Sequence, residues 1–121
     1  MRGFIAISVL LAVFMPSLAP AKREAPPMVD PVVYRGVRYT APNDDGRRAY
    51  VQAWDMKTNK MLWEATVFHN PINPSLEEDV QHVYIKKMSI VKGALIVVAE
   101  NERAYSIELK TQSVSNLKKL P

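Results

Sequence analysis

Eleven residues in the middle of the chain are the strongest indication of its fold: Ala53-Trp54-Asp55-Met56-Lys57-Thr58-Asn59-Lys60-Met61-Leu62-Trp63. On either side of its polar centre, residues 50–56 and 60–68 are rich in β-branched and aromatic side chains. Asp55 can accept hydrogen bonds from the turn amides, and Thr58 can do the same through its hydroxyl. Asn59 stands where a loop of this length often requires a positive φ. The stretch therefore predicts a β-hairpin.

The same residues resemble one repeat of the quinoprotein-type (PQQ-like) β-propeller, whose blades carry the pattern Ala-x-Asp-x-x-Thr-Gly-Lys-x-x-Trp. The matching positions are Ala53, Asp55, Thr58, Lys60 and Trp63. Asn59 replaces the glycine, and Asn is the non-glycine residue that most readily accepts a left-handed conformation. In the family the tryptophan docks on the Ala-containing strand of the neighbouring blade. The resemblance therefore implies structural roles for these residues, and it includes none of the cofactor-binding residues of the family's dehydrogenases.

The chain repeats this pattern once more near its C-terminus. Residues 54–61 and 107–114 share the order apolar, acid, apolar, Lys-Thr, two polar residues, apolar. The offset between the copies falls from 57 at Gly36 and Gly93 to 53 at the Lys-Thr pairs, as small deletions in turns would produce. Asn116 stands in the second copy where Trp63 stands in the first. The shared order of residues has two explanations: two degenerate copies of one β-unit, or a chance similarity between two short hairpins.

The length of the chain limits how many such units it can hold. A closed propeller needs at least about 4 blades of about 40 residues each, and 121 residues supply about two. We therefore predict an all-β fold of small antiparallel sheets, about two propeller-blade-like units that do not close into a propeller. The side chains expected in its core are Trp54, Trp63, Tyr84, Leu95, Val97 and Ile107. On that basis, Trp63→Ala should cost about 3–5 kcal/mol.

Residues 1–21 have the features of a signal peptide. Arg2 gives a positive start, residues 4–15 are apolar apart from Ser8, and Ala19-Pro20-Ala21 is a small-x-small cleavage pattern. An uncleaved anchor is the alternative, although the apolar run is shorter than the roughly 20 residues of a membrane-spanning helix. The chain has no Cys, which excludes a lipoprotein start and a disulfide framework. We predict a secreted or periplasmic protein that is not an integral membrane protein after cleavage.

The remainder divides into a short segment and one domain. Residues 22–31 contain Pro26, Pro27 and Pro31 and predict an extended tether, and residues 32–121 form the predicted β domain. Without Arg2 the chain carries 15 basic and 12 acidic residues, a net charge of +3. These charges are interspersed, which favours a solvated surface and does not indicate a nucleic-acid partner.

Two irregular segments interrupt the β pattern. Residues 42–46 predict a turn; Asn43, Asp44 and Asp45 offer oxygen ligands, but no Glu follows at the spacing of a calcium loop. Residues 69–79 contain Pro71 and Pro74, and Ser75-Leu76-Glu77-Glu78 resembles a capping box that opens at most one helical turn. Residues 95–98 are apolar on both faces and predict the most buried strand.

Residues suited to catalysis are few. His69 and His82 are the only histidines. Ser75, His82 and Asp79 could be named as a Ser-His-carboxylate set, but any chain with two histidines would permit such a list, so the set is weak evidence of catalysis. No phosphate-binding loop, nucleophile elbow or facing carboxylate pair is present.

We predict no catalytic, cofactor-binding or metal residues. The chain is interpreted as a non-catalytic exported β-module with a binding or assembly role. Its partner would be a protein or a polymer bound through a sheet edge or through residues 69–79, or a second copy of the chain joined through sheet edges. The alternative is a blade-supplying subunit of an oligomeric quinoprotein-like enzyme.

Overall fold

β-Strands joined by short turns form the domain, as the alternating sequence pattern predicted. The computed structural model describes residues 25–121, so the predicted signal peptide and residues 22–24 lie outside the described part. The strands are β1 (Val32–Tyr34), β2 (Val37–Thr40), β3 (Arg48–Asp55), β4 (Met61–His69), β5 (Ile85–Val91), β6 (Ala94–Ala99), β7 (Ala104–Glu108) and β8 (Val114–Leu117).

These strands form two antiparallel meanders. Sheet A has the order β1-β2-β3-β4 and sheet B the order β5-β6-β7-β8. In residues 25–121 neither sheet closes into a barrel or a propeller, and one short 3-10 turn, Asp79–Gln81, accompanies the strands. The predicted all-β fold of two open, blade-like antiparallel units is confirmed.

The hairpin between β3 and β4 follows the local chemistry of its turn. The N–H of Asn59 donates to the Asp55 carbonyl at 2.7 Å, and the N–H of Lys57 donates to the Asp55 carboxylate at 3.1 Å. Asn59 has a φ of 59°, as predicted. The prediction for Thr58 was wrong in direction: its hydroxyl donates to Oδ2 of Asp55 at 3.0 Å instead of accepting from a turn amide. A carboxylate is the stronger acceptor, so the hydroxyl takes the donor role.

The turn between β7 and β8 has the same construction. The N–H of Gln112 donates to the Glu108 carbonyl at 2.7 Å, and the N–H of Lys110 donates to the Glu108 carboxylate at 2.7 Å. Gln112 has a φ of 61°. The turns that open the two sheets also match, because residues 35–36 and 92–93 all have positive φ, as a type I′ turn requires. The two sheets therefore repeat each other in structure as well as in sequence.

The core lies between the two sheets. Leu95, Val97 and Ile107 of sheet B are fully buried, and Val51 and Ala53 of sheet A contact the same cluster. Strand β6 is buried over five of its six residues, which confirms the prediction for residues 95–98. An apolar strand with neighbours on both edges and a sheet on one face loses most of its contact with water.

The two tryptophans are less buried than predicted. Trp63 is half-buried on the edge strand β4, opposite Ala53, with its ring centroid 5.8 Å from that of Tyr39. Trp54, also half-buried, lies on the face of sheet A that points away from sheet B, where its Nε1–H donates to the Thr40 hydroxyl at 3.2 Å. An edge strand has a neighbour on one side only, so part of the Trp63 ring remains in water.

Trp63→Ala should accordingly reduce the free energy of unfolding by about 2 kcal/mol instead of 3–5 kcal/mol, because only part of the ring is removed from water. Denaturant titration would measure the change. Leu62→Ala, on the same strand but 53% exposed, is the control and should change stability by less than about 0.5 kcal/mol. A loss of 4 kcal/mol or more for Trp63→Ala would contradict the half-buried position.

A single asparagine links the two sheets at the end where the long loops lie. The side-chain amide of Asn43 donates to the Ile85 carbonyl at 2.8 Å, and its oxygen accepts from the Ile85 N–H at 3.1 Å. The same amide donates to the Pro27 carbonyl at 2.9 Å, and Val29 packs against the core. The segment before β1 is therefore held against the domain at these residues.

Candidate functional site

The edges of the two sheets carry features that oppose the addition of another strand. Strand β1 has three residues and follows Pro31, and β8 has four residues and precedes Lys118 and Lys119. Strand β5 has a register shift at Lys86. Short length, proline, lysine and bulges are the ordinary protections of an edge strand.

The remaining edge, β4, is long but irregular. It has nine residues, with no Lys or Pro among them. Its pairing with β3 shifts register twice, and each shift leaves one extra residue on β4, Leu62 and Val67. Bulges bend and twist a strand and interrupt its ladder, so the regular part of this edge is confined to residues 63–66. The geometry therefore favours the loop over the edges as the binding surface.

A cleft of about 600 Å³ lies beside the segment that leads from β4 toward β5. Ligand-binding sites usually have about 300–1,000 Å³. The residues that line the cleft are Arg47, His69, Asn70, Pro71, Ile72, Pro74, Leu76 and Glu78. Four of these are apolar, and Leu76 is 60% exposed. The cleft thus has an apolar wall from the loop and a polar wall from Arg47 and Glu78.

Hydrogen bonds within the loop hold this wall in place. The side-chain amide of Gln81 donates to the carbonyls of Asn73 and Glu77, both at 3.0 Å, and its oxygen accepts from the N–H of Asn73 at 2.8 Å. The Asn70 amide donates to the carbonyls of Gly46 at 3.1 Å and Gln81 at 2.7 Å. Because both ends of the loop are bonded to fixed backbone, the cleft exists before any ligand binds.

The predicted helical turn forms, but its predicted cap does not. The turn is the 3-10 segment Asp79–Gln81, and its first flanking residue, Glu78, makes no side-chain cap hydrogen bond. The Ser75 hydroxyl instead donates to Oδ1 of Asn73 at 2.7 Å, and the Ser75 N–H donates to the same oxygen. The capping-box prediction was wrong because Asn73 forms a local Asx turn. Its side-chain oxygen engages both the N–H and the hydroxyl of Ser75, so the hydroxyl does not cap the helical turn.

The polar wall is an ion pair that the loop brings onto sheet A. The Arg47 guanidinium donates to both carboxylate oxygens of Glu78, with Nε 2.7 Å from Oε2. The His82 Nε2 also lies 3.0 Å from Oε2 of Glu78. The hydrogen bonds from Arg47 and then His82 lower the pKa of Glu78 to about 2, and the bond to Glu78 raises the pKa of Arg47. The contact is therefore complete above pH 4.5 and is lost as the pH falls toward 2.

His82 has a packing role next to this pair. Its ring fills the space above Gly46, where an added Cβ would lie 2.1 Å from the ring. Its Nδ1 lies 3.3 Å from the Tyr84 hydroxyl. The His82 backbone N–H donates to the Asp79 carbonyl at 3.3 Å, and the Ser75 hydroxyl donates to Asn73. These contacts hold the loop together and are not the side-chain relay of the Ser-His-carboxylate set named from the sequence.

The polar residues of the turn before β3 are used in structural contacts. The Tyr50 hydroxyl donates to both oxygens of Asp44, at 2.6 and 2.8 Å, and the Arg47 N–H donates to Asp45 at 2.9 Å. Burial, then the bond to Asp44, raises the pKa of Tyr50 to about 12. Residues 25–121 contain no group of three or more His, Asp and Glu side chains placed to hold a metal ion.

The residues that carry the propeller resemblance lie apart from the cleft. Ala53 and Trp63 pack in sheet A, whereas Asp55, Thr58, Asn59 and Lys60 belong to the turn after β3. None of these six residues lines the cleft. The sequence did not indicate the pairing of Arg47 with Glu78, because partners 31 residues apart leave no local pattern.

Comparison with known proteins gives this chain no family: neither a scan against protein-family models nor a search of curated proteins finds a match. The structure adds one finding on membranes. None of the helical segments in residues 25–121 has the length and apolar character to cross a bilayer.

Proposed function

We propose that the protein is an exported, non-catalytic β-module that binds a protein partner in the cleft beside residues 69–78. The observation that carries the proposal is the preformed cleft of about 600 Å³ with an apolar wall that includes Ile72 and Leu76. Arg47 and Glu78 neutralise each other across its polar wall. An uncharged segment with aliphatic side chains fits such a cleft better than an ionic ligand does.

The use of the polar groups around the cleft supports binding over catalysis. His82 contacts Glu78 and Tyr84, and the Ser75 hydroxyl is bonded to Asn73. A general base must reach the proton that it abstracts, and these groups already serve the loop. Export is supported by the signal-peptide features of residues 1–21.

Selection of short displayed peptides on the exported protein would test the proposal. We expect the selected peptides to share aliphatic residues and to lose at least about tenfold in affinity on Leu76→Asp, because a charge would then occupy the apolar wall. Leu120→Asp is the matched control, since Leu120 is 50% exposed and lies outside the cleft lining. Equal binding by the Leu76→Asp variant would refute the cleft as the site.

A second candidate function, a blade-supplying subunit of an oligomeric quinoprotein-like enzyme, has one observation in its favour. The two sheets pack through non-equivalent faces. When the matching turns are aligned, Tyr39 of sheet A is equivalent to Ile96 of sheet B. Tyr39 points into the core between the sheets. In sheet B, however, it is Leu95 and Val97, on the other face of the strand from Ile96, that point into this core. Packing of this head-to-tail kind can continue with further sheets.

The outer face of sheet A opposes such continuation. Arg48 donates to the Thr66 hydroxyl at 2.7 Å and to Glu64 at 3.3 Å, and Gln52 donates to Glu64 at 3.1 Å. A polar, internally bonded face is typical of the terminal unit of a repeat array. Mass-resolved size measurement decides between the candidates: a ring-sized oligomer that carries a quinone chromophore would favour the enzyme subunit.

A further inference from the structure

Four hairpin turns gather at the end of the molecule opposite the cleft, and we call this surface the turn end. It consists of residues 35–36, 56–60, 92–93 and 109–112. The N–H of Met56 donates to the Gly36 carbonyl at 3.0 Å, which joins the two turns of sheet A. Arg35, Gly93 and Lys110 line one small recess of about 200 Å³, which joins sheet A to the turns of sheet B. The four turns therefore form one continuous surface.

The turn end is basic. Its exposed cationic residues are Arg35, Lys57, Lys60, Lys92 and Lys110. In residues 25–121 none of these cations forms an ion pair. The two carboxylates at this end accept hydrogen bonds from turn amides, Asp55 from Lys57 and Glu108 from Lys110. Five cations against these two carboxylates leave the surface with a net positive charge that can attract an external partner.

Exposed apolar side chains stand among these cations. Met56 and Met61 are each 48% exposed, and Leu62 is 53% exposed. All three belong to the hairpin that carries Lys57 and Lys60. Lysines attract the phosphates of anionic lipids, and apolar side chains beside them enter the boundary between headgroups and acyl chains.

The opposite end has a different charge pattern. Its loops carry the carboxylates of Asp44, Asp45, Glu77, Glu78, Asp79, Glu100 and Glu102. Some of these are paired with cations, as in Arg47–Glu78 and Lys86–Glu102. This mixture of signs at one end and unpaired cations at the other orients the molecule in the field of an anionic surface.

We propose that the turn end is a peripheral binding site for a bilayer surface that contains anionic phospholipids. The cations hold the headgroup phosphates, and Met56, Met61 and Leu62 enter the interface. The cleft then faces away from the bilayer. A nucleic acid is the less suitable polyanion, because bases stack on exposed aromatic side chains, whereas the exposed apolar residues here are aliphatic.

Sedimentation of the exported protein with phospholipid vesicles tests this site. We expect partition onto vesicles of phosphatidylcholine with roughly 30% phosphatidylglycerol to exceed partition onto phosphatidylcholine alone by at least about tenfold at low salt. The difference should shrink in 1 M salt, where the screening length falls to about 3 Å. Equal partition onto the two vesicle types would overturn the proposal.

A matched pair of triple variants locates the site. The combined change Lys57→Gln, Lys60→Gln and Lys92→Gln should lower partition onto the anionic vesicles about 100-fold, since each lysine near the surface contributes about a fivefold factor.

The control changes Lys87, Lys118 and Lys119 to Gln, away from the turn end, and should lower partition threefold or less. Met61→Ser should cause at least about a fivefold loss. An equal loss in the two triple variants, or binding of duplex DNA with no binding of vesicles, would refute a membrane site.

Discussion

Replacing Leu95 by alanine should lower the free energy of unfolding by about 4 kcal/mol, within the range of 2–5 kcal/mol typical of buried leucines. Leu95 is fully buried in the central strand β6, between Ile90 of β5 and Ile107 of β7. Neighbours on both sides and sheet A above leave little room for the structure to collapse into the cavity. For a domain with about 5–15 kcal/mol of stability, this loss is a large fraction of the total.

Denaturant unfolding of the two leucine variants would measure this effect. Leu62→Ala removes the same atoms from a site that is 53% exposed and should change stability by less than about 0.5 kcal/mol. A small effect at both leucines would mean that the two sheets do not share the core between them. The comparison therefore tests the packing of the sheets and not the hydrophobicity of leucine.

Replacing Asn43 by alanine should lower the free energy of unfolding by about 3 kcal/mol. Its amide satisfies the N–H and the carbonyl of Ile85, a fully buried residue, and also the carbonyl of Pro27. A buried backbone group left without a partner costs about 1–3 kcal/mol. Asn43 also has a φ of 52°, which alanine adopts less readily than asparagine does.

Two further substitutions separate these causes. Asn43→Gly removes the three hydrogen bonds but accepts the positive φ, so it should be destabilised slightly less than Asn43→Ala. Asn43→Asp keeps the acceptor for the Ile85 N–H but turns a charged carboxylate oxygen toward the carbonyl oxygens of Ile85 and Pro27, so it should be destabilised at least as much as Asn43→Ala. If Asn43→Gly were as stable as the unchanged protein, the link between the sheets would contribute nothing.

Local chemistry explains why the fold was predictable from the sequence. The turns after β3 and β7 are closed by hydrogen bonds between residues only a few positions apart, as between Asn59 and Asp55. The paired residues 35–36 and 92–93 mark the other hairpins by their positive φ. Alternating β-branched and aromatic residues between such turns leave an antiparallel meander as the natural arrangement.

The cleft could not be predicted in the same way. Its polar wall pairs Arg47 with Glu78, 31 residues away, and the loop is held through contacts of Asn70 with Gly46 and Gln81. Pro71 and Pro74 marked this segment as irregular, but irregularity does not specify a shape. Similarly, the pattern at Ser75 is compatible with a capping box, but in the structure Ser75 is hydrogen-bonded to the Asn73 side chain instead.

The strands, their turns, the repeat of one unit and the burial of β6 follow from local sequence, because neighbouring residues control these features through backbone conformation and hydrogen bonds. The packing of the two sheets was needed to show that Trp63 lies on a half-exposed edge, that Asn43 links the two sheets and that a cleft opens beside residues 69–78. It also brought the cations of four separate turns onto one surface. These features depend on contacts between residues far apart in the chain, and such contacts exist only once the two sheets have packed.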